Sequence, residues 1–299
     1  MEELGHRARG AAGDLLEGVH RAVVLAREDR PLARGDGVTA LVRDPGKARR
    51  AFGEPGGLRI RATRLDDPRD LAEALDGIRT VFIAMGSVGI EGVLQRIAIS
   101  AAAGIGSIVQ VTRLSVLNAS AGSLGINQRA HYSIDQFASA AAVPYSTIRP
   151  AIFSASLLEG APQVRASRTW TGLAGSGRMA LIDHRDAAEA GMRVLTDPAL
   201  WGAHNDVTGP LAMSWPEALE LLSAVVGKTI AFQVATERQF LERLTSGGIA
   251  AGTAELLITR EWAILAGEND YTTNTFQQIV GRPPRPVTEF LHDYRAEFV

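Results

Sequence analysis

Between residue 37 and about residue 150, apolar and polar positions follow two alternating periods. Short runs rich in β-branched residues predict strands at Val38–Arg43, Leu58–Leu65, Thr80–Met85, Ser107–Thr112 and Tyr145–Arg149. Alanine-rich stretches with helical spacing lie between them and predict helices at Pro68–Leu75, Ile90–Ala103 and Arg129–Ala142. The alternation predicts repeated βαβ units around a parallel sheet.

Beyond Pro150 this alternation loosens into helices separated by loops. Helices are predicted at His184–Leu195, at Ser214–Val226 and from about Val287, with a flexible connection from Gly172 to Gly177. We therefore predict an α/β chain with a Rossmann-type, doubly wound parallel sheet in residues 1–150, of which 1–36 are atypical. Residues 151–299 are predicted to form a smaller, mostly helical substrate-side domain, with some segments returning to the sheet.

The composition is that of a globular protein and narrows the function classes. Hydrophobic residues make up 46% of the chain and charged residues 21%. The net charge of −2 comes from well-mixed basic and acidic residues, so we expect no nucleic-acid partner. The absence of cysteine excludes disulfides and thiolate metal sites. No apolar run is long enough for a membrane span and the first ten residues lack a signal pattern, so we expect a cytoplasmic protein without a membrane partner.

Five short segments resemble one known family in both order and spacing. They are Ala40–Pro45, Val143–Pro150, Leu181–Ala188, Val207–Pro210 and the C-terminal Ile279–Pro284. Together they resemble the NmrA-like branch of the atypical short-chain dehydrogenases over about residues 37–299. This resemblance implies an oxidoreductase that uses NADP(H), or alternatively NAD(H), to reduce a small quinone-like or unsaturated substrate.

The resemblance also implies a set of cofactor contacts at the ends of the predicted strands. Arg43 matches the position that holds the 2′-phosphate of NADP, and Asp66 matches the position near the adenine ring. Met85, Gly86 and Thr112 match positions on the nicotinamide side. Each has a purely structural alternative: a solvated arginine for Arg43, a helix cap for Asp66 and ordinary strand ends for the other three.

His131 and Asp135 form an H-x-x-x-D spacing that resembles the family's H-x-x-x-E. Four residues apart on a helix, they share one face and could form a structural pair. Alternatively, His131 is the candidate catalytic residue, as a proton donor to the reduced substrate. Tyr132 is followed four residues later by Gln136, so the Tyr-x-x-x-Lys pair of conventional ketoreductases is absent.

Candidate substrate contacts are Phe153, Tyr132 and Pro150, with Trp170, Trp201 and Trp215 as further aromatic residues for a pocket wall or for the core. The cluster from Asp183 to Asp186 is interpreted as helix capping and salt bridging, and no metal is expected.

The N-terminal segment departs from the family pattern. Gly10 and Gly13 are candidate cofactor-binding remnants of G-x-x-G-x-x-G, but the third glycine position holds Leu16. A helix entering near Gly13 could still offer amides to an anion. Alternatively, 21–26 form the first strand, although the eleven residues from Arg27 to Gly37 hardly accommodate a helical crossover. Cofactor binding is therefore in doubt.

This doubt keeps a second function open. The protein could be a cofactor-degenerate family member that acts as a redox sensor or regulatory binding protein, or a non-redox isomerase or cyclase. A small-molecule substrate is expected in the first case, and a homodimer or a regulatory protein partner is open in both.

Overall fold

The computed structural model describes residues 23–28, 37–52 and 57–299. The chain divides into two compact units. The first comprises the described part of Met1–Ser115 together with Ala130–Arg149 and Arg185–Asn205, and the second comprises Val116–Arg129, Pro150–His184 and Asp206–Val299. The predicted domain boundary at residue 150 stays a prediction.

The main sheet has seven strands in the order β3-β2-β1-β4-β5-β6-β9. Their bounds are β1 Val23–Glu28, β2 Val38–Val42, β3 Leu58–Ala62, β4 Ile78–Ala84, β5 Gln110–Leu114, β6 Tyr145–Pro150 and β9 His204–Val207. The pairs β2 with β3, β4 with β5 and β5 with β6 are parallel. The predicted α/β class is confirmed, and the parallel pairs follow the predicted βαβ alternation.

The first strand runs against its neighbours. β1 is antiparallel to both β2 and β4, with Val23 opposite Val42 and Ala84. An antiparallel neighbour needs only a short connection, whereas a parallel one needs a crossover of a dozen or more residues. The short segment after β1 is therefore compatible with a strand, and the prediction that disfavoured a strand near 21–26 was wrong.

Helices connect the strands of the first unit. They are α1 Pro45–Phe52, α2 Pro68–Ala74, α3 Ile90–Ala103, α4 Ile126–Ser139 and α6 His184–Thr196, numbered along the whole chain. The apolar faces of the first unit bury one continuous core that includes Leu41, Ile83, Ile99 and Val111. α3 has the predicted bounds, while α4 begins three residues before the predicted start at Arg129.

The second unit contains small sheets that the sequence pattern did not reveal. β7 (Thr169–Gly172) pairs in parallel with β11 (Ala231–Val234), and β8 (Arg178–Ala180) pairs antiparallel with β10 (Ala212–Ser214). Strands of three or four residues are too short to show a period of two. The remaining helices are α5 Ala161–Ser167, α7 Trp215–Val226, α8 Glu237–Ser246, α9 Ala251–Leu265, α10 Thr275–Val280 and α11 Val287–Asp293. None of the helices described here is long and apolar enough to cross a membrane.

Two of the tryptophans proposed for a pocket wall lie in the core of the second unit. The rings of Trp170 and Trp215 stack with their centroids 5.3 Å apart, and both side chains are buried. The Trp215 Nε1 donates to the buried carboxylate of Glu261, which also accepts from the Ala174 N–H. These two residues therefore stabilise the unit, and the structure favours the core alternative for them.

Candidate functional site

The carboxyl ends of several strands meet at one edge of the sheet. β2 and β4 point the same way because each is antiparallel to β1, and each also has a parallel neighbour. The strands end at Val42, Ala62, Ala84 and Leu114. In open α/β sheets the ligand binds outside this edge, so the predicted cofactor residues should lie along it.

Arg43 directly follows β2 and its side chain is exposed. No other residue in the described ranges forms a hydrogen bond or ion pair with it. The neighbouring Asp44 is occupied, because its Oδ1 accepts from the Lys47 N–H at 2.9 Å in the first turn of α1. This backbone hydrogen bond lowers the pKa of Asp44. The end of β2 thus presents an available guanidinium beside a carboxylate that is already engaged.

Asp66 and Asp67 have different surroundings, which separates the two interpretations given to Asp66. Asp67 is the N-cap of α2, and its side chain accepts from the N–H groups of Arg69 and Asp70. Asp66 lies exposed in the turn before it. Its carboxylate has no bonded partner among residues 37–52 and 57–299. Capping therefore belongs to Asp67, and Asp66 is available to a ligand.

The backbone at the end of β4 is closely packed and hydrogen-bonded. Met85 is buried, and the carbonyls of Met85 and Gly86 both accept from the Gln95 Nε2, at 3.3 and 2.7 Å. A Cβ at Gly92 would lie 2.4 Å from the Ser87 carbonyl oxygen, so α3 begins in close contact with this loop. The loop after β4 thus has a defined backbone path at the ligand edge.

Thr112 lies further from the edge than predicted. β5 continues to Leu114, so the strand does not end at Thr112. The Thr112 side chain is fully buried and its hydroxyl accepts from the Gln110 Nε2 at 3.2 Å. The predicted strand end needs correcting by two residues, and the cofactor contact of Thr112 remains an untested prediction.

Sequence analysis missed a fully buried arginine on β5. We call its group the Arg113 cluster, which consists of Arg113, Gln95, Ser115, His131, Asp135, Tyr145 and Arg149. The Arg113 Nε donates to the Tyr145 hydroxyl at 2.8 Å and Nη1 donates to the Gln95 Oε1 at 3.1 Å. Nη2 donates to the Ser115 hydroxyl at 2.9 Å and forms an ion pair with Asp135.

Asp135 is the acceptor at the centre of this cluster. Besides Arg113, it accepts from the Tyr145 hydroxyl at 2.8 Å, the Ser115 hydroxyl at 3.0 Å and the Arg149 Nη2 at 2.9 Å. Burial alone would raise the pKa of Asp135, but the charge and hydrogen bond of Arg113 hold it below its usual value. Burial raises the pKa of Tyr145, so that hydroxyl remains a donor.

His131 shares a helix face with Asp135, as predicted, but Arg113 contacts both of them. The Arg113 Nη1 lies 2.8 Å from the His131 Nδ1. A guanidinium has only donors, so Nδ1 accepts and the imidazole proton is on Nε2. Burial, followed by the charge of Arg113, holds the pKa of His131 well below its usual value. The ring is neutral near pH 7 and can act as a hydrogen-bond donor through Nε2.

The remaining predicted residues are distributed over both units. Tyr132 is half-buried on α4 in the first unit. Pro150 ends β6, and Phe153 forms an isolated bridge with Ile182, both in the second unit. Gly10 and Gly13 lie outside the described residues. The described residues form no group of three His, Asp or Glu side chains suited to a metal, and the cluster from Asp183 to Asp186 includes the start of α6 at His184.

A family model described as NAD(P)H-binding matches residues 22–198, which is more than half of the chain. The chain belongs to this NAD(P)H-binding family. A similar curated protein is the NAD(P)H azoreductase of Xenophilus azovorans, which is 29% identical over 265 residues, or 87% of this chain and 90% of the relative. The family membership confirms the nucleotide-binding class that the resemblance implied.

Two solved structures show how far the fold of this NAD(P)H-binding chain is shared. The NADPH-dependent quinone oxidoreductase of Escherichia coli, in complex with NADPH, has a TM-score of 0.79 at 24% identity, covering 86% of this chain and 90% of that one. NmrA, a negative transcriptional regulator in complex with NAD, has a TM-score of 0.65 at 12% identity, covering 86% and 87%. The predicted Rossmann-type fold and the predicted resemblance of the chain to NmrA-like proteins are both confirmed.

Proposed function

We propose that this protein is an NAD(P)H-dependent oxidoreductase that reduces a small quinone-like or otherwise unsaturated substrate. The observation that carries the proposal is the available Arg43 guanidinium at the end of β2, in a chain of the NAD(P)H-binding family. The similarity to an azoreductase and to a quinone oxidoreductase supports this substrate class, because both names describe reduction of conjugated small molecules.

The adenosine half of the cofactor fits the ends of β2 and β3. These strands are parallel neighbours, so Arg43 and the turn that holds Asp66 belong to the same edge. A planar guanidinium can bind a phosphate through two hydrogen bonds, which favours NADPH over NADH. The exposed carboxylate of Asp66 can accept a hydrogen bond from the exocyclic amine of adenine. In this proposal, the two side chains bind and orient the cofactor.

The nicotinamide half is proposed to lie against Met85 and Gly86 at the end of β4. A bound nicotinamide would supply a hydride, and the protein would supply its orientation. The Met85 side chain is packed in the core, so the backbone of Met85 and Gly86 would form the contact surface for this half. His131, being neutral, would donate a hydrogen bond from Nε2 to a substrate oxygen, and the matching proton would come from solvent. Phe153, Tyr132 and Pro150 remain the proposed substrate contacts.

Binding and turnover of NADPH test the proposal directly. Titration with the purified protein should quench or shift the fluorescence of NADPH. The same titration with NADH should give a higher Kd. With a panel of benzoquinones, naphthoquinones and azo dyes under anaerobic conditions, at least one compound should accelerate NADPH oxidation. If neither nucleotide binds up to millimolar concentration, the proposal is wrong.

The reversed first strand favours a second candidate. Glu28, at the carboxyl end of β1, pairs with Ile78 at the start of β4. β1 therefore ends at the edge opposite the one where the first strand of a dinucleotide-binding unit ends and its glycine loop begins. This supports a cofactor-degenerate protein that acts as a redox sensor or regulator, or as an isomerase or cyclase. Binding of NADPH without its oxidation would support the sensor. Oxidation of NADPH by a quinone that disappears in Arg43→Ala would exclude both the sensor and the isomerase or cyclase.

A further inference from the structure

Gln95 on α3 joins the Arg113 cluster to the end of β4. Its Oε1 accepts from Arg113, and its Nε2 donates to the carbonyls of Met85 and Gly86. We infer that Gln95 is a positioning residue, which fixes the Met85–Gly86 backbone on the nicotinamide side and thereby sets the geometry of hydride transfer. The inference rests on the proposed function and extends it to a residue without a direct ligand contact.

The orientation of the Gln95 amide is determined by its partners. Arg113 can only donate and a carbonyl can only accept, so the oxygen must face Arg113 and the nitrogen must face Met85 and Gly86. Both side chains are fully buried. The contact with Met85 is buried and the contact with Gly86 is half-buried, so losing the amide would leave at least the Met85 carbonyl without a donor that water can readily replace.

The two carbonyls bound by Gln95 are consecutive. In a regular strand, consecutive carbonyls point to opposite sides, so two that share one donor show that the chain turns at Gly86. Each trans peptide carries its N–H opposite its carbonyl, and the N–H groups of Gly86 and Ser87 therefore point away from Gln95. Gln95 thus fixes both the point at which the chain leaves the sheet and the direction of these backbone donors.

Arg113 in turn holds Gln95. Its guanidinium is tied to Asp135, Tyr145 and Ser115, so its Nη1 has little freedom to move. A continuous chain of hydrogen bonds therefore connects α4, β5 and α3 to the loop after β4. Hydride transfer depends steeply on the distance between donor and acceptor, and a misplacement of about 1 Å can cost about 100-fold in rate.

The test compares Gln95→Met with Gln110→Met. Both residues are fully buried glutamines of the first unit, but the Gln110 Nε2 donates to the Val111 carbonyl and to the Ser146 hydroxyl, away from the end of β4. In single turnover with NADPH and an active quinone, we expect Gln95→Met to slow hydride transfer about tenfold or more. Its Kd for NADPH should change less than about threefold. Gln110→Met should lower the melting temperature without slowing transfer.

Gln95→Glu provides a second variant in case the first folds poorly. The carboxylate keeps the contact with Arg113 but presents an acceptor to two carbonyls, so the same loss of rate is expected. Hydrogen exchange gives a readout that does not need turnover: amides of residues 85–89 should exchange at least about tenfold faster in both Gln95 variants. Unchanged exchange, or unchanged transfer in an active protein, would overturn this inference alone. A wild-type protein that neither binds nor oxidises NADPH would overturn the proposed function as well.

Discussion

Two arginines of the first unit, Arg113 and Arg43, show opposite uses of the same side chain. Arg113 lies inside β5, and all three of its nitrogens donate to buried acceptors. Arg43 follows β2, is exposed, and has no bonded partner in the part of the chain that the structure describes. A guanidinium whose donors are occupied contributes to folding, whereas one whose donors are available can recognise an anion. Burial and partners, and not residue type, distinguish a structural role from a binding role.

The largest effect is expected from Arg113→Met. Removing the guanidinium leaves Asp135 buried with one less cation, which should lower the free energy of unfolding by about 3–5 kcal/mol, measured by urea unfolding followed by circular dichroism. Arg149→Met is the matched control, because Arg149 binds the same carboxylate but is partly exposed. If both variants lost the same free energy of unfolding, burial would not explain the larger contribution expected from Arg113.

Arg43→Ala should affect binding and leave stability unchanged. Loss of the contact with the 2′-phosphate should weaken NADPH binding by about 10- to 100-fold, with NADH binding unchanged, as measured by fluorescence titration. Lys47→Ala removes a nearby exposed cation on α1 and should change the Kd less than about threefold. If Arg43→Ala weakened both nucleotides equally, Arg43 would not distinguish the phosphate.

Acid should destabilise the protein through His131. Its folded-state pKa lies well below the usual 6.5, so the unfolded chain binds a proton first as the pH falls. The stability present above about pH 6.5 should be lost towards the folded pKa, with a slope approaching about 1.4 kcal/mol per pH unit.

Urea unfolding between pH 7.5 and 5 would measure this slope. His131→Gln keeps an acceptor for Arg113 and should flatten it, whereas a parallel change of the exposed His292 should not. A slope that persists in His131→Gln would assign the effect to another group.

The smallest effect is expected at Asp66 and Asp67, the two neighbouring carboxylates after β3. Asp67→Ala removes the N-cap of α2 and should lower the melting temperature by about 2–3 °C, measured by differential scanning fluorimetry. Asp66→Ala should leave the melting temperature unchanged and weaken nucleotide binding. A larger thermal effect of Asp66→Ala would reverse the roles assigned here.

The fold class could be predicted because local patterns determine it. The strand at 80–85 was recognisable as apolar on both faces, and α3 was predicted at its observed bounds because glycine flanks its apolar spacing at both ends. The direction of β1 could not be predicted in this way. Strand polarity is set by the pairing partners, here β2 and the more distant β4, and six apolar or charged residues fit either direction equally well. The short link between β1 and β2, which suits an antiparallel pair, was the available cue.

The site was only partly accessible to sequence analysis. Arg43 and Asp66 could be identified because strand ends are readable from the pattern. Arg113 was overlooked because an arginine after a predicted strand end is ordinarily solvated, and its burial became evident only when β5 extended to Leu114. A cue did exist. His131 and Asp135 on α4 and Tyr145 on β6 are polar residues, and a buried cation can supply the hydrogen-bond donors that their buried acceptor atoms need.

The reversed β1 makes the continuity of the sheet depend on six residues. In the strand order, β2 does not pair with β4, and each pairs instead with β1. A chain that began at residue 37 would therefore expose two inner strand edges at once, one on β2 and one on β4. Such a fragment would be prone to recruit a strand from another molecule, so N-terminal truncation would threaten solubility before it affected chemistry.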